Sequence, residues 1–182
     1  MAFTFRLASV DDAEEVARSA VEGFETYREF APAGWTPPSL QSETETVRAR
    51  LEDPDTWCLL AESGDGVAGH VGFLPSARAR RPGTDRGLAH LWQLFVRRPF
   101  WGTGLAVRLL HAAVEEAADR GFATMRLFTP AGQARARRFY EREGWTLAQE
   151  PFADADFGLP LVEYRRPLTP PVAAPRSAPG RP

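Results

Sequence analysis

Val96-Arg97-Arg98-Pro99-Phe100-Trp101-Gly102-Thr103-Gly104-Leu105-Ala106 is the stretch on which the fold turns. Before it, Gly87–Val96 is a strongly apolar run, the pattern of a strand buried on both faces. After it, Leu105, Ala106, Leu109, Leu110, Ala113, Val114 and Ala117 recur at helical spacing. The spacing predicts a helix from Gly102 to Arg120, with Gly121 as its C′ residue. Phe122–Thr129 reads as the next strand. A strand, a helix and a strand in that order imply one parallel pairing. The small residues 102, 104 and 106 leave backbone N–H groups bare at the helix start, where the helix carries positive partial charge. That makes a cradle suited to a pyrophosphate. Taken alone, Gly-x-Gly before a helix is as readily a plain tight turn.

Working outward, residues 3–8 alternate as a strand. Ser9 starts a helix with Asp12 as its capping-box partner, and an apolar stripe carries this helix to about Phe30. Residues 31–38 hold three prolines and Gly34 and read as a loop. A weaker helix, 39–53, follows. Strands are expected at 56–62 and 67–77, joined by the Ser63–Gly66 turn. Residues 78–86 read as an exposed loop. A helix at 132–143 and strands at 145–150 and 159–166 complete the chain. The predicted order is β-α-α-β-β-β-α-β-α-β-β. The fold class is α/β with a mixed (α+β) sheet: mostly antiparallel, one parallel pair, helices on both faces.

The 22 basic side chains are all arginine, against 24 acidic ones and a formal charge of −2. Lysine, asparagine and isoleucine are absent. All three use A/T-rich codons, so this points to a GC-rich bacterial genome. The balance argues against nucleic acid as partner, and no apolar run reaches the length of a membrane span. Met1–Ser9 lacks a signal layout. With a single Cys58, the expectation is a cytoplasmic protein without disulfides. Residues 1–168 form the expected domain, and the Pro/Ala/Arg-rich 169–182 an expected disordered tail.

Two phosphate-binding classes fail at the glycine turn. A nucleotide P-loop needs a lysine, and a dinucleotide fingerprint needs a carboxylate after the next strand. Trp101-Gly102-Thr103-Gly104-Leu105-Ala106 instead resembles the phosphate loop of the GCN5-related N-acetyltransferase (GNAT) superfamily, with Trp101 in place of the usual Gln/Arg. Gln133-Ala134-Arg135-Ala136-Arg137-Arg138-Phe139-Tyr140, followed by Gly144-Trp145, resembles its second motif. Gln133 stands there for asparagine and Trp145 for phenylalanine. The resemblance spans about Phe3 to Leu168 and implies a GNAT-like sheet whose parallel strand pair is splayed.

It further implies acetyl-CoA as the coenzyme. Leu94, Phe95, Val96, Arg97, Arg98, Trp101, Gly102, Thr103, Gly104, Leu105 and Ala106 are the expected coenzyme-binding residues, with Gln133, Arg135 and Ala136 from the second motif. A solvated pair is an equal reading of Arg97 and Arg98. Tyr140 is the expected proton donor to the coenzyme sulfur. An oxyanion donor is expected in a backbone N–H at or beside Val96. His90 lies six residues before Val96, where family members carry a base; a packed sheet histidine is the competing reading. An imidazole needs little tuning to act near neutrality. Strand alternation puts His90, Trp92, Leu94 and Val96 on one face. His70 and Cys58 read as core, and His111 as a helix residue without a partner. No metal-ligand spacing exists.

The acceptor pocket is expected to involve Phe24, Tyr27, Trp35 and Trp92, with Phe30, Phe152 and Phe157 nearby. Glu150, Asp154 and Asp156 add carboxylates. Aromatics with carboxylates suit a cationic amine. The expected reaction is acetylation of a small primary amine by direct attack in a ternary complex. A protein N-terminus or lysine as acceptor, or a non-catalytic acyl-CoA sensor, are the alternatives. A homodimer is common among resembling proteins.

Overall fold

Ser9 breaks the first strand as its chemistry requires. Its N–H donates to Asp12 Oδ2 at 2.7 Å, and its hydroxyl donates to the same oxygen at 2.9 Å. Arg6 grips Asp12 from the strand at 2.7 and 2.8 Å, and this contact above all holds the carboxyl down at about 2. In the computed structural model, which describes residues 2–64, 66–155 and 157–168, a short 3-10 turn then leads into helix α1 (Ala13–Glu25). Ala13, Val16, Ala17 and Ala20 are fully buried along its inner face. The helical path continues past α1 only as a 3-10 turn, Thr26–Glu29. Helix α2 (Leu40–Leu51) begins where the Ser39 hydroxyl oxygen accepts the Ser42 N–H at 3.2 Å. It turns Val47 and Glu43 inward.

The strands are β1 (Thr4–Leu7), β2 (Trp57–Ser63), β3 (Gly66–Pro75), β4 (Leu88–Val96), β5 (Thr124–Pro130), β6 (Thr146–Asp154) and β7 (Leu159–Pro167). They form one sheet in the order β1-β2-β3-β4-β5-β7-β6. Only β4 and β5 run parallel; the other neighbours are antiparallel. The mixed sheet is thus the predicted one. Helices α3 (Leu105–Asp119) and α4 (Ala134–Arg142) cover one face. Leu109, Leu110 and Ala113 of α3 pack there with Ala89, Leu91, Met125 and Tyr164. Helices α1 and α2 cover the other face, around Leu60 and Cys58.

Two of the boundaries that differ from the sequence reading bear on the site. Helix α3 starts at Leu105, because Gly102 and Gly104 hold φ of 78° and 80°, which no right-handed turn uses. Strand β6 runs four residues further, to Asp154. Two register shifts and Pro151 interrupt its alternation, so the pattern fades before the pairing does. As an edge strand it tolerates both. Among the described residues, no helix is long and apolar enough to cross a membrane. The tail 169–182 lies outside the described residues.

Candidate active site

Strands β4 and β5 pair only from Leu88–Thr124 to Leu91–Leu127. Beyond that, β4 stays with β3 as far as Val96–Gly69, while β5 stays with β7 as far as Pro130–Leu161. The sheet therefore opens between two parallel neighbours. A bulge sits at the start of the opening. Gly72 opposes Gln93 and Phe73 opposes Leu91, so Trp92 is the extra residue. Gly72 makes room for it: a Cβ there would lie 2.4 Å from the indole Nε1.

The bulge corrects the expected alternation. Ala89, Leu91, Leu94 and Val96 pack towards α3. Trp92 packs with the α1–α2 cluster, and Phe95 with Phe24 and Tyr27. His90 and Trp92 thus do not share a face with Leu94 and Val96, because an inserted residue reverses the phase of every residue after it.

A cavity of about 910 Å³ passes through the opening. On the α3–α4 side it is lined by Leu94, Val96, Trp101, Gly102, Gly104, Leu105 and Ala106. Gln133, Arg135, Ala136 and Tyr140 face it from α4 and the turn before α4. Nothing would obstruct a Cβ on Gly102 or Gly104; the left-handed backbone is what calls for glycine. The backbone bond from Arg108 N–H to the Gly104 carbonyl closes the first turn at 3.2 Å. The N–H groups of Leu105, Ala106 and Val107 precede it and lack an intrahelical acceptor. No acidic residue sits in that turn to compete for them. This end fits a phosphate-bearing ligand.

Trp101 is built into the loop rather than left exposed. Its Nε1–H donates to the Val96 carbonyl at 2.6 Å, and the Arg135 guanidinium lies 3.7 Å from its ring centroid. Arg98 approaches the same ring at 5.5 Å. Arg97, Arg98 and Thr103 lie outside the cavity wall. Arg97 donates to Glu22 at 2.8 and 2.9 Å, and its backbone N–H is spent on Ala68. Thr103 donates to the Phe100 carbonyl at 2.7 Å and pins the turn.

Tyr140 stands where the two sides meet. It is buried, with Phe139, Trp145 and Tyr164 around its ring, and burial raises its phenol above the ordinary range. Tyr27, from the α1 side, is raised by burial and by the nearby Tyr140.

The α1–α2 side forms the other chamber of this cavity. Phe24, Tyr27, Phe95, Phe157 and Trp92 line it. Trp35 does not; its Nε1–H donates to the Phe157 carbonyl at 2.9 Å, so it braces the wall from behind. His90 lines the chamber against Phe128, with ring centroids 5.1 Å apart, and its Nδ1 is buried without a partner. Burial first, then the cations of Arg126, Arg50 and Arg80, push it down to about 3. The expected imidazole poised near neutrality is therefore not what this site provides: a desolvated ring among guanidiniums stays neutral.

Other features of the chamber escaped the sequence reading. His70 Nε2–H donates to Gln93 Oε1 at 3.0 Å, and Gln93 Nε2 donates to Glu43 Oε1. Burial raises the Glu43 carboxyl, and the Gln93 bond offsets part of that. The supposedly exposed 78–86 loop folds over the chamber and lends it Arg80 and Arg81. Asp154 does not face an incoming amine. It accepts from Arg80 at 2.9 Å and lies 3.6 Å from Arg81. Glu150 is exposed on the sheet edge, and Asp156 lies outside the described residues. His111 does have a partner, Glu143 at 3.0 Å. Only the run Arg78-Ala79-Arg80-Arg81 was a visible signal, and composition gave it no direction.

A passage of this kind lets two ligands meet from opposite faces of one sheet, which is the layout of a group-transfer enzyme. The profile of the acetyltransferase (GNAT) family matches residues 20–145, and the chain belongs to that family of acyltransferases. N-acetyltransferase 8 of Rattus norvegicus is 30% identical over 108 residues, 59% of this chain and 47% of that protein. The match thus spans about half the length of that curated relative. Among solved structures, a GNAT-family acetyltransferase from Desulfovibrio desulfuricans superposes with a TM-score of 0.70 at 23% identity, covering 92% of this chain and all of the other. The PaiA N-acetyltransferase of Thermoplasma acidophilum, solved in complex with coenzyme A, gives 0.66 at 16% identity, covering 90% and 98%. Both share the fold.

Proposed function

We propose that this chain is an acetyl-CoA-dependent N-acetyltransferase acting on the primary amine of a small molecule by direct attack in a ternary complex. The observation that carries this is the opening between β4 and β5, where a phosphate-fitting helix start and an aromatic chamber share one cavity with Tyr140 between them. The N–H groups of Leu105, Ala106 and Val107 would hold the pyrophosphate, with Arg135 near by. Leu94 and Val96 would flank the pantetheine arm. Acetyl-CoA supplies an acetyl group activated as a thioester. The PaiA relative was solved with coenzyme A, which supports this choice. The acetyltransferase domain is proposed to end at Leu168, whose N–H closes on the Ala123 carbonyl at 2.9 Å.

Tyr140 acts as a hydrogen-bond donor to the leaving sulfur. A thiol ionises near 8.5 and an ordinary phenol near 10, as order-of-magnitude references. Burial lifts Tyr140 higher still, so it stabilises a thiolate by donating a hydrogen bond and keeps its own proton. His90 is neutral and can accept an N–H of the amine, orienting its lone pair. The amine reacts as the free base, and its proton leaves through solvent in the chamber. The aromatic walls favour a small acceptor over a folded protein's terminus.

The test is a panel of small amines and peptides with acetyl-CoA, followed by thiol release. Turnover on a small amine, lowered about 100-fold by Tyr140→Phe, is the expected result. Turnover on peptides alone moves the acceptor to proteins. Coenzyme binding with no turnover on either class overturns the enzymatic reading.

A further inference from the structure

Three guanidiniums line the acceptor chamber: Arg50 on α2, and Arg80 and Arg81 in the β3–β4 connection. Behind them Arg126 on β5 is buried and donates through Nη2 to the Arg81 carbonyl, which ties the connection over the chamber. Arg81 also lies 4.3 Å from the Phe152 ring centroid. Its Nη1 lies 3.6 Å from Asp154 Oδ2, the carboxylate that Arg80 holds at 2.9 Å, so ring packing and this shared carboxylate fix where its charge sits.

Arg50 is the telling member. It is half-buried, and its Nη1 donates to the Arg78 carbonyl at 2.8 Å. Among the described residues it forms no ion pair. Asp53, whose charge it feels, is held by Arg78 at 2.9 Å. A cation drawn out of water without a counter-ion in contact is unfavourable, and a ligand can supply that counter-ion. The coenzyme phosphates do not account for it. Their proposed cradle opens on the α3–α4 face, whereas Arg50 belongs to α2 on the opposite face.

We propose that the acceptor amine carries an anionic group, a carboxylate or a phosphate monoester, which Arg50 and Arg81 bind. Guanidinium forks match both oxyanions through paired N–H donors. Glu43 lines the same chamber, seven residues before Arg50 on α2 and so about 10 Å along the helix axis. It faces the ammonium form of the amine, which gives the chamber a cation end and an anion end. The aromatic walls, Phe24 and Phe128 among them, take an apolar body between the two. The amine half of this assignment rests on the acetyltransferase reading above; the anion half does not.

The test reads binding, not turnover. The protein saturated with coenzyme A is titrated by calorimetry with N-acetylphenylalanine, N-acetylphenylalaninamide and N-acetyl-O-phosphoethanolamine. At least one anionic probe should bind about 10- to 100-fold more tightly than the neutral carboxamide. The tighter of the two anionic probes identifies carboxylate or phosphate as the group. Arg50→Gln and Arg81→Gln, on separate elements, should each narrow that ratio to about 3-fold or less. Equal or tighter binding of the carboxamide to the wild-type protein overturns the proposal, as does failure of every probe to bind at millimolar concentration. A wild-type preference untouched in both folded variants also overturns it. Anion-selective binding without acetylation of any amine would sink the enzymatic reading and leave the anion site standing. Turnover of neutral amines without anion selectivity would do the reverse.

Discussion

His90 and Tyr140 show how burial sets what a side chain can do. Both are buried against aromatic rings, and in both burial favours the neutral form. For Tyr140 that preserves a donor through the working pH range. For His90 it removes basicity, since about 3 lies far below any amine it would have to deprotonate. The wild-type pH–rate profile should therefore show no limb from His90 between pH 5 and 9. His90→Gln keeps a hydrogen-bonding side chain, so kcat/KM should fall about 10-fold with the profile's shape retained. An acidic limb near pH 6.5 that disappears in the variant would return His90 to the part of general base. Tyr140 was legible because its motif spacing carries it. Glu43, Gln93 and Arg81 were not, because each comes from a different element and no local pattern joins them.

At the scale of elements, the turn before α3 and the bulge in β4 do most to shape the site. The sequence showed a glycine-rich helix start after an apolar strand; it did not show the left-handed backbone at Gly102 and Gly104, which delays the helix to Leu105. Gly104 at φ 80° caps α3, and a β-branched residue there is strained even though nothing crowds its Cβ. Gly104→Val should raise the KM for acetyl-CoA by about 10-fold or more with a smaller effect on kcat. Steady-state kinetics in acetyl-CoA checks this, and an unaltered KM would remove the turn from the coenzyme site. The bulge was not readable. His90-Leu91-Trp92-Gln93-Leu94 looks like regular alternation, and the extra residue shows only when Gly72 across the ladder makes room for the indole. One inserted position moved Leu94 and Val96 to the α3–α4 face and left His90 on the α1–α2 face.

Across the whole molecule, buried neutral histidines tie stability to pH. His70 is held at about 4 and His90 at about 3, both by burial first. Their unfolded value is about 6.5. Between those limits the unfolded chain binds more protons, so stability is full above about pH 6.5 and falls as the pH drops towards the folded values. By pH 5 each histidine should cost about 2 kcal/mol. The Glu43 carboxyl, raised by burial, opposes this in part, because its folded form takes up a proton first. Asp12, held at about 2, adds a further loss only below its ordinary value near 3.8. Denaturant titrations at pH 7.5 and 5 should therefore show a lower midpoint in acid. Equal midpoints would mean that neither histidine is held neutral.

The order of elements, the parallel pair, the glycine turn and the second motif were all determined by the sequence. Each is a local pattern: period two, period three to four, or a residue that only one backbone conformation suits. Tertiary structure alone decided the character of the α1–α2 chamber. The residues near its far wall read as an acidic stretch for a cation, yet Asp154 pairs inward with Arg80 and Arg81, and Arg50 arrives from a helix far away in the chain. Charge along a chain says which groups exist. Which of them cancel, and which are left facing a cavity, is decided by the few ångströms between elements that only the folded chain brings together.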